Sequence, residues 1–244
     1  MDIDRSSPIR RPTGNPAMRQ RWLELLFLHW SVPVDALRPL IPPRLEIDTH
    51  EGRAYVGLVP FTMTGVRPVW SPALPGVSSF HEVNVRTYVH LEGRDPGVWF
   101  LSLDASSRVA VLVARSTYHL PYHFARMSLT RGPAGGVLYS SERRWPGPRP
   151  AACAMRYWPV GGVAPAAPGT LEHFLAERYV LYAVRRGRLL RGRVHHPPYP
   201  LQAAELADLD ESLVAAAGVH RGSEAPLAHY AKGVSVELFG LAGC

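Results

Sequence analysis

Polar and apolar positions change rhythm several times along this chain, and each change marks an element boundary. The clearest alternation runs from Glu82 to Val89. Val83, Val85, Thr87 and Val89 share one face there, while Glu82, Asn84, Arg86 and Tyr88 share the other, as the two-residue period of a strand requires. Trp22–Trp30 is apolar without a period and fits a strand or a short helix. Val34–Ile41, stopped by Pro42-Pro43, fits one or two helical turns. Leu45–Asp48, a turn at His50-Glu51-Gly52 and a strand over Ala54–Met63 read as a hairpin. Asp95-Pro96-Gly97 reads as a turn into a strand through Trp99, Leu101 and Leu103. Ser106 or Ser107 caps a predicted helix over Val109–Thr117, which Pro121 ends. Strands are predicted at Phe124–Thr130, Gly136–Arg143 and Ala152–Trp158, then a helix capped by Thr170 and a hairpin over Tyr179–His195. A helix over Asp208–Ala217 and a last strand over Val234–Phe239 complete the pattern.

Many short strands, few helices and no βαβ rhythm predict a mainly β (α+β) fold, an antiparallel barrel or sandwich with packed helices. Residues 1–20, polar and carrying Arg5, Arg10, Arg11 and Arg19, read as a flexible N-terminal tail, and 21–244 as a single domain. At 244 residues and 46% hydrophobic, the chain can fill one large core. No apolar run suits a membrane span or a secretion signal, so no membrane partner is expected. Cys153 and Cys244 lie far apart and form no disulfide framework or zinc motif, which points to the cytoplasm. The formal charge is +7, yet all but one of the 27 basic residues are arginine. The dense run Arg185–Arg193 is broken by Gly187, Leu189, Leu190 and Gly192, so it reads as a hairpin with solvated arginines, and nucleic acid is not an expected partner.

Two stretches carry candidate chemistry. Glu82, Asn84, Arg86 and Tyr88 place a carboxylate, an amide, a guanidinium and a phenol in one row. That row suits the lining of an enclosed cavity, or the water-facing side of an amphipathic strand, and spacing alone leans to the second. The stretch Arg115–His123 gathers Arg115, Tyr118, His119, Tyr122 and His123 around Pro121. His119 and His123 are four apart, but Pro121 between them breaks a helix, so no metal site is expected. Turn packing also accounts for the aromatic residues, and sequence alone leans to it. His29, Arg178-Tyr179 and His196–Tyr199 are weaker pocket candidates. Lys232, the lone lysine, reads as exposed. There is no P-loop, Rossmann glycine fingerprint, G-x-S-x-G or H-E-x-x-H.

Taken in order, Phe27–Trp30, Gly57–Phe61, Glu82–Val89, Ala114-Arg115 through Leu120-Pro121-Tyr122, and Glu177–Tyr179 resemble a YqjF-like bacterial family of unknown function. That family is similar to the acetoacetate decarboxylase superfamily, whose fold is a β-barrel around a ligand cavity. In the decarboxylase a Gly-Arg-Glu motif is followed, four residues on, by Pro-Lys-Lys, whose first lysine forms a Schiff base. Here Arg115 and Pro121 keep the spacing, Ser116 stands for the glutamate, and Tyr122 and His123 stand at the lysine positions. A phenol and an imidazole form no iminium with a ketone, so Schiff-base decarboxylation is disfavoured.

What the resemblance implies is a cationic pocket needing no cofactor. Asn84, Arg86, Tyr88 and Arg115 would bind a small anionic carbonyl compound, and Glu82, Tyr122 and His123 would move protons for enolisation, dehydration or a lyase step. The alternative is a non-catalytic ligand-binding or sensing domain using the same cavity. A homo-oligomer is compatible with either.

Overall fold

In the computed structural model, which describes residues 3–132 and 135–244, Trp22–Trp30 is the middle of a strand, β1 (Met18–Val32). Its missing alternation has a physical cause: both faces are buried. Leu26, Leu28 and Trp30 belong to one apolar cluster, and Leu25 and Phe27 to another on the opposite face. The next strands are β2 (Glu46–Ile47), β3 (Ala54–Pro68), β4 (Phe80–Leu91) and β5 (Arg94–Ala105). They are followed by β6 (Tyr122–Arg131), β7 (Val137–Trp145), β8 (Ala152–Ala164), β9 (Val180–Arg185) and β10 (Arg188–His195). The chain ends with β11 (Leu201–Glu211), β12 (Leu227–Leu238) and β13 (Ala242–Gly243).

All of these belong to one sheet, and its pairings close twice. One circuit runs β5-β6-β7-β8-β11-β12-β1-β3-β4 and back to β5; the other runs β5-β9-β10-β12-β1-β3-β4. The two share the wall β12-β1-β3-β4-β5, which is why much of β1, β3 and β4 is buried on both faces. Pairing is antiparallel except at β5–β6 and β5–β9, which are parallel. Helices are few and short: α1 (Val34–Leu37), α2 (Arg108–Val113), α3 (Leu171–Ala176) and α4 (Leu213–Ala216). None among the described residues is long and apolar enough to cross a membrane.

Several expectations change. Glu46–Ile47 does not form a hairpin with the strand after it; it pairs with β4, opposite Val89 and His90, while His50 and Arg53 close only a local turn. Asp208–Glu211 is the end of strand β11, paired with β8, so the helix expected there begins only at Leu213. The turn before β5 sits at Glu92-Gly93, both with positive φ, rather than at Asp95–Gly97. Met18–Gln20, read as tail, start β1. Farther out, Arg5 makes a bidentate ion pair with Asp48, Arg11 pairs with Glu237, and Pro8 is buried.

Candidate active site

The shared wall sets the site. Along β4, Glu82, Asn84 and Arg86 face a cavity of about 180 Å³ enclosed by the second circuit. The opposite face, Val83, Val85 and Val89, packs into the other core. The polar row therefore does not meet water: Glu82, Asn84 and Arg86 are all buried. Gly57 is paired with Arg86 across β3–β4, and a Cβ there would lie 3.0 Å from the His29 ring and 3.5 Å from Arg86 Cγ. Glycine at this position keeps the strand clear of the His29 ring, against which any side chain would press.

Glu82 is the centre of the acid–base chemistry. The Tyr122 hydroxyl donates to its Oε2 at 2.7 Å. Burial pushes the Glu82 carboxyl up to about 8; the hydrogen bonds from Tyr122 and Asn84 oppose this, and the charge of Asp104 adds to it. Burial and the neighbouring Glu82 charge likewise raise the Tyr122 phenol. At neutral pH the pair is thus a protonated carboxyl beside a neutral phenol, a proton reservoir within reach of the cavity.

Arg86 supplies the charge. Its terminal nitrogen donates to the Leu175 carbonyl at 3.1 Å, and the guanidinium lies over the rings of Phe27 and Tyr88. Its buried Nε has no partner, and none of the ion pairs among the described residues includes Arg86. Arg178, placed just after α3, also lines the cavity; it pairs with Asp48 at 2.7 Å and keeps a second terminal nitrogen unpartnered. Asp48 also neutralises Arg5, and its carboxyl sits below the usual range because the two guanidiniums outweigh its burial. One carboxylate therefore serves two arginines, and Arg86 has none, so this end of the cavity carries excess positive charge.

Three expected site residues lie elsewhere. Tyr122 and His123 are consecutive on β6, so they point to opposite faces. Register shows which is which: Tyr122 pairs beside cavity-lining Leu103, and His123 beside Asp104. His123 bonds the Pro146 carbonyl through Nδ1 at 2.8 Å, and burial lowers its pKa. Arg115 is exposed, within a π-helical turn over Ala114–Tyr118; it donates to the Tyr122 carbonyl at 2.7 Å and lies over Trp145. It braces the turn and does not reach the cavity. Tyr88 is fully buried behind the lining: its hydroxyl donates to the Leu175 carbonyl at 2.7 Å, so the 2.6 Å contact with His29 takes its proton from His29 Nε2. His123→Ala is therefore expected to cost about 1 kcal/mol of stability, from the lost bond to Pro146, with small-acid binding unchanged in a thermal-shift assay.

Arg178 and Tyr199, weak candidates in the sequence, do line the cavity. Lys232 is exposed on β12 and outside it. The buried bidentate pair Arg143–Asp104, both bonds 2.7 Å, was not anticipated. Its signal was present in the alternation of Ser102 and Asp104 against Leu103 and Ala105, but the partner lies thirty-nine residues on.

A family model described as an uncharacterized conserved protein, DUF2071, matches residues 19–235. The uncharacterized protein YqjF of Bacillus subtilis (strain 168) is 40% identical over 221 residues, covering 91% of this chain and 90% of that one. Among solved structures, the enduracididine biosynthesis enzyme MppR complexed with pyruvate superposes with a TM-score of 0.63 at 16% identity, over 96% of this chain and 93% of that one. Acetoacetate decarboxylase from Legionella pneumophila gives a TM-score of 0.63 at 12% identity, over 98% and 93%. An acetoacetate decarboxylase-like enzyme from Sphingomonas wittichii gives 0.64 at 13%, over 95% and 94%. The fold is of the acetoacetate decarboxylase type.

Proposed function

This chain belongs to the DUF2071 family of YqjF-like proteins, and from its own cavity we propose an enzyme that binds a small carbonyl-bearing carboxylate and moves a proton on it without a Schiff base. One observation carries the reading: a buried Arg86 with no counter-charge among the described residues faces the same enclosed space as the Glu82–Tyr122 pair. A guanidinium left unpaired in such a place is costly unless an anion completes it. That MppR is seen with pyruvate supports the ligand class.

In the proposed reaction the carboxylate of the ligand bonds Arg86 Nε and the free nitrogen of Arg178. The carbonyl then lies toward Asn84 and Glu82. Ionised Glu82 takes a proton from the carbon beside the carbonyl; the C–H bond breaks, an O–H bond forms on Glu82, and the electron pair moves onto the carbonyl oxygen. Arg86 stabilises the resulting enolate, and Tyr122 holds the carboxyl through its hydroxyl. Return of the proton to the same carbon gives exchange, its return to the opposite face gives epimerisation, and loss of a group from the next carbon gives dehydration or a lyase step. A cytoplasmic setting suits the free thiols Cys153 and Cys244.

The mainly apolar lining favours a second reading, a ligand-binding or sensing domain. Proton NMR of deuterium wash-in at C3 of 2-oxobutanoate separates the two. Wild type is expected to accelerate exchange, with a rate that rises with pH to a midpoint near 8 as Glu82 ionises, and Glu82→Gln to lower it at least about 100-fold. Binding without exchange would support the sensing domain. Exchange equal in wild type and Glu82→Gln would remove Glu82 from the chemistry.

A further inference from the structure

Strand register gives the cavity a direction. Arg86 stands opposite Gly57, Glu82 opposite Phe61, and Phe80 opposite Met63, which itself pairs with Trp22 on β1. Around Arg86 the lining is mostly buried: Arg86, Val98, Val180 and Tyr199 are buried, while Phe100 and Leu181 are partly exposed. Beyond Phe80 it opens, because Met18, Val66 and Tyr118 are half-exposed and Val113 of α2 is 47% exposed. A path thus leads from a buried cationic end, past the Glu82–Tyr122 pair, to a mouth beside α2 and the π-helical turn.

The open half is apolar. Every charged lining residue, Glu82, Arg86 and Arg178, lies at or inside the level of Glu82. The polar groups farther out among the described residues are Gln20, the Tyr118 hydroxyl, which donates to Met18 Sδ at 3.1 Å, and the unpartnered indole N–H of Trp22; none is charged. The spacing along β4 also sets the order of groups on the ligand. Arg86 and Glu82 are four residues apart, about 13 Å along an extended strand. Both side chains line one cavity, and for a ligand that spans them a carboxylate held by Arg86 puts the oxo carbon toward Glu82 and any further chain toward Phe80 and the mouth.

Resting on the proposed roles of Arg86 and Glu82, we infer that the substrate is an oxo acid with an extended, uncharged apolar tail. The carboxylate enters first and occupies the buried end, the oxo group stops over Glu82–Tyr122, and the tail lies between Met63, Phe80 and α2. An acid with a second carboxylate would place that charge in the apolar half, where no cation meets it. A cavity of about 180 Å³ has room beyond the three carbons of pyruvate, since an apolar cavity of roughly 150 Å³ accepts a benzene ring.

Isothermal titration with straight-chain 2-oxo acids from pyruvate to 2-oxooctanoate, and with 2-oxoglutarate, tests this. Affinity is expected to rise roughly three- to fourfold per added methylene over the first members, the increment for burying one CH₂. 2-Oxoglutarate is expected to bind more weakly than 2-oxopentanoate, its equal in carbon number without the second carboxylate. Ala114→Trp, which narrows the outer half, should flatten the series, and Arg86→Met should weaken every member. The wild-type series decides the matter even if Ala114→Trp misfolds. Affinity that stays flat or falls with length, while pyruvate still binds through Arg86, overturns the tail and leaves the proposed function standing. If no oxo acid binds, or Arg86→Met binds them as wild type does, the proposed function falls and the tail with it.

Discussion

Replacing Glu82 with glutamine is expected to stabilise the protein by about 3 kcal/mol at pH 7 while removing its proton-transfer activity. The folded state holds the Glu82 proton up to about pH 8, against an ordinary value of 4.5, because burial penalises the charged form. Stability linked to this raised pKa is fully present below the unfolded value. It is lost progressively as pH climbs from there to about 8, since the unfolded chain gives up the proton first. Glutamine keeps the shape and can still accept from Tyr122, but it does not titrate. Urea unfolding of wild type and Glu82→Gln should therefore agree near pH 4 and diverge as pH rises. A variant less stable than wild type at pH 7 would show that Glu82 is ionised and well paired in the fold.

Asp104→Ala is expected to cost about 3–5 kcal/mol, the range for stranding one member of a buried ion pair. Both side chains of the Asp104–Arg143 pair are 1% exposed, and the two bonds between them are each 2.7 Å. Removing the carboxylate leaves a guanidinium in the core with no counter-charge. The same change takes away a negative charge that helps to raise Glu82, so the pH midpoint of proton transfer should move downward. Joining Asp104→Ala to Arg143→Met should restore much of the lost stability, because no unpaired charge then remains. A single variant within about 1 kcal/mol of wild type in urea unfolding would mean that water reaches the pair.

Strands with one polar and one apolar face were legible because alternation reports them directly, as at Glu82–Val89, where both faces are buried. The segments that misled are those with two apolar faces or with borrowed partners. β1 shows no alternation because it serves two cores, and Glu46–Ile47 pairs with a strand about forty residues on, which no local turn signal predicts. In the site, the row Glu82, Asn84, Arg86 was readable from its period, but whether it faced water or a cavity depended on how the sheet closed. Reading Tyr122 and His123 as partners ignored the strand they occupy, in which neighbours face opposite ways. Arg115 kept its spacing to Pro121, yet the π-helical turn carries it to the outside. The buried pair of Arg143 and Asp104 joins two strands whose sequences hold no mark of each other.

A crystal structure with 2-oxobutanoate measures the main point most directly. The carboxylate should lie within hydrogen-bond distance of the Arg86 guanidinium, with the oxo group turned to Glu82 and Tyr122. Acid found only on the surface arginines, or seated in the cavity with its carboxylate turned to the mouth, would contradict the account.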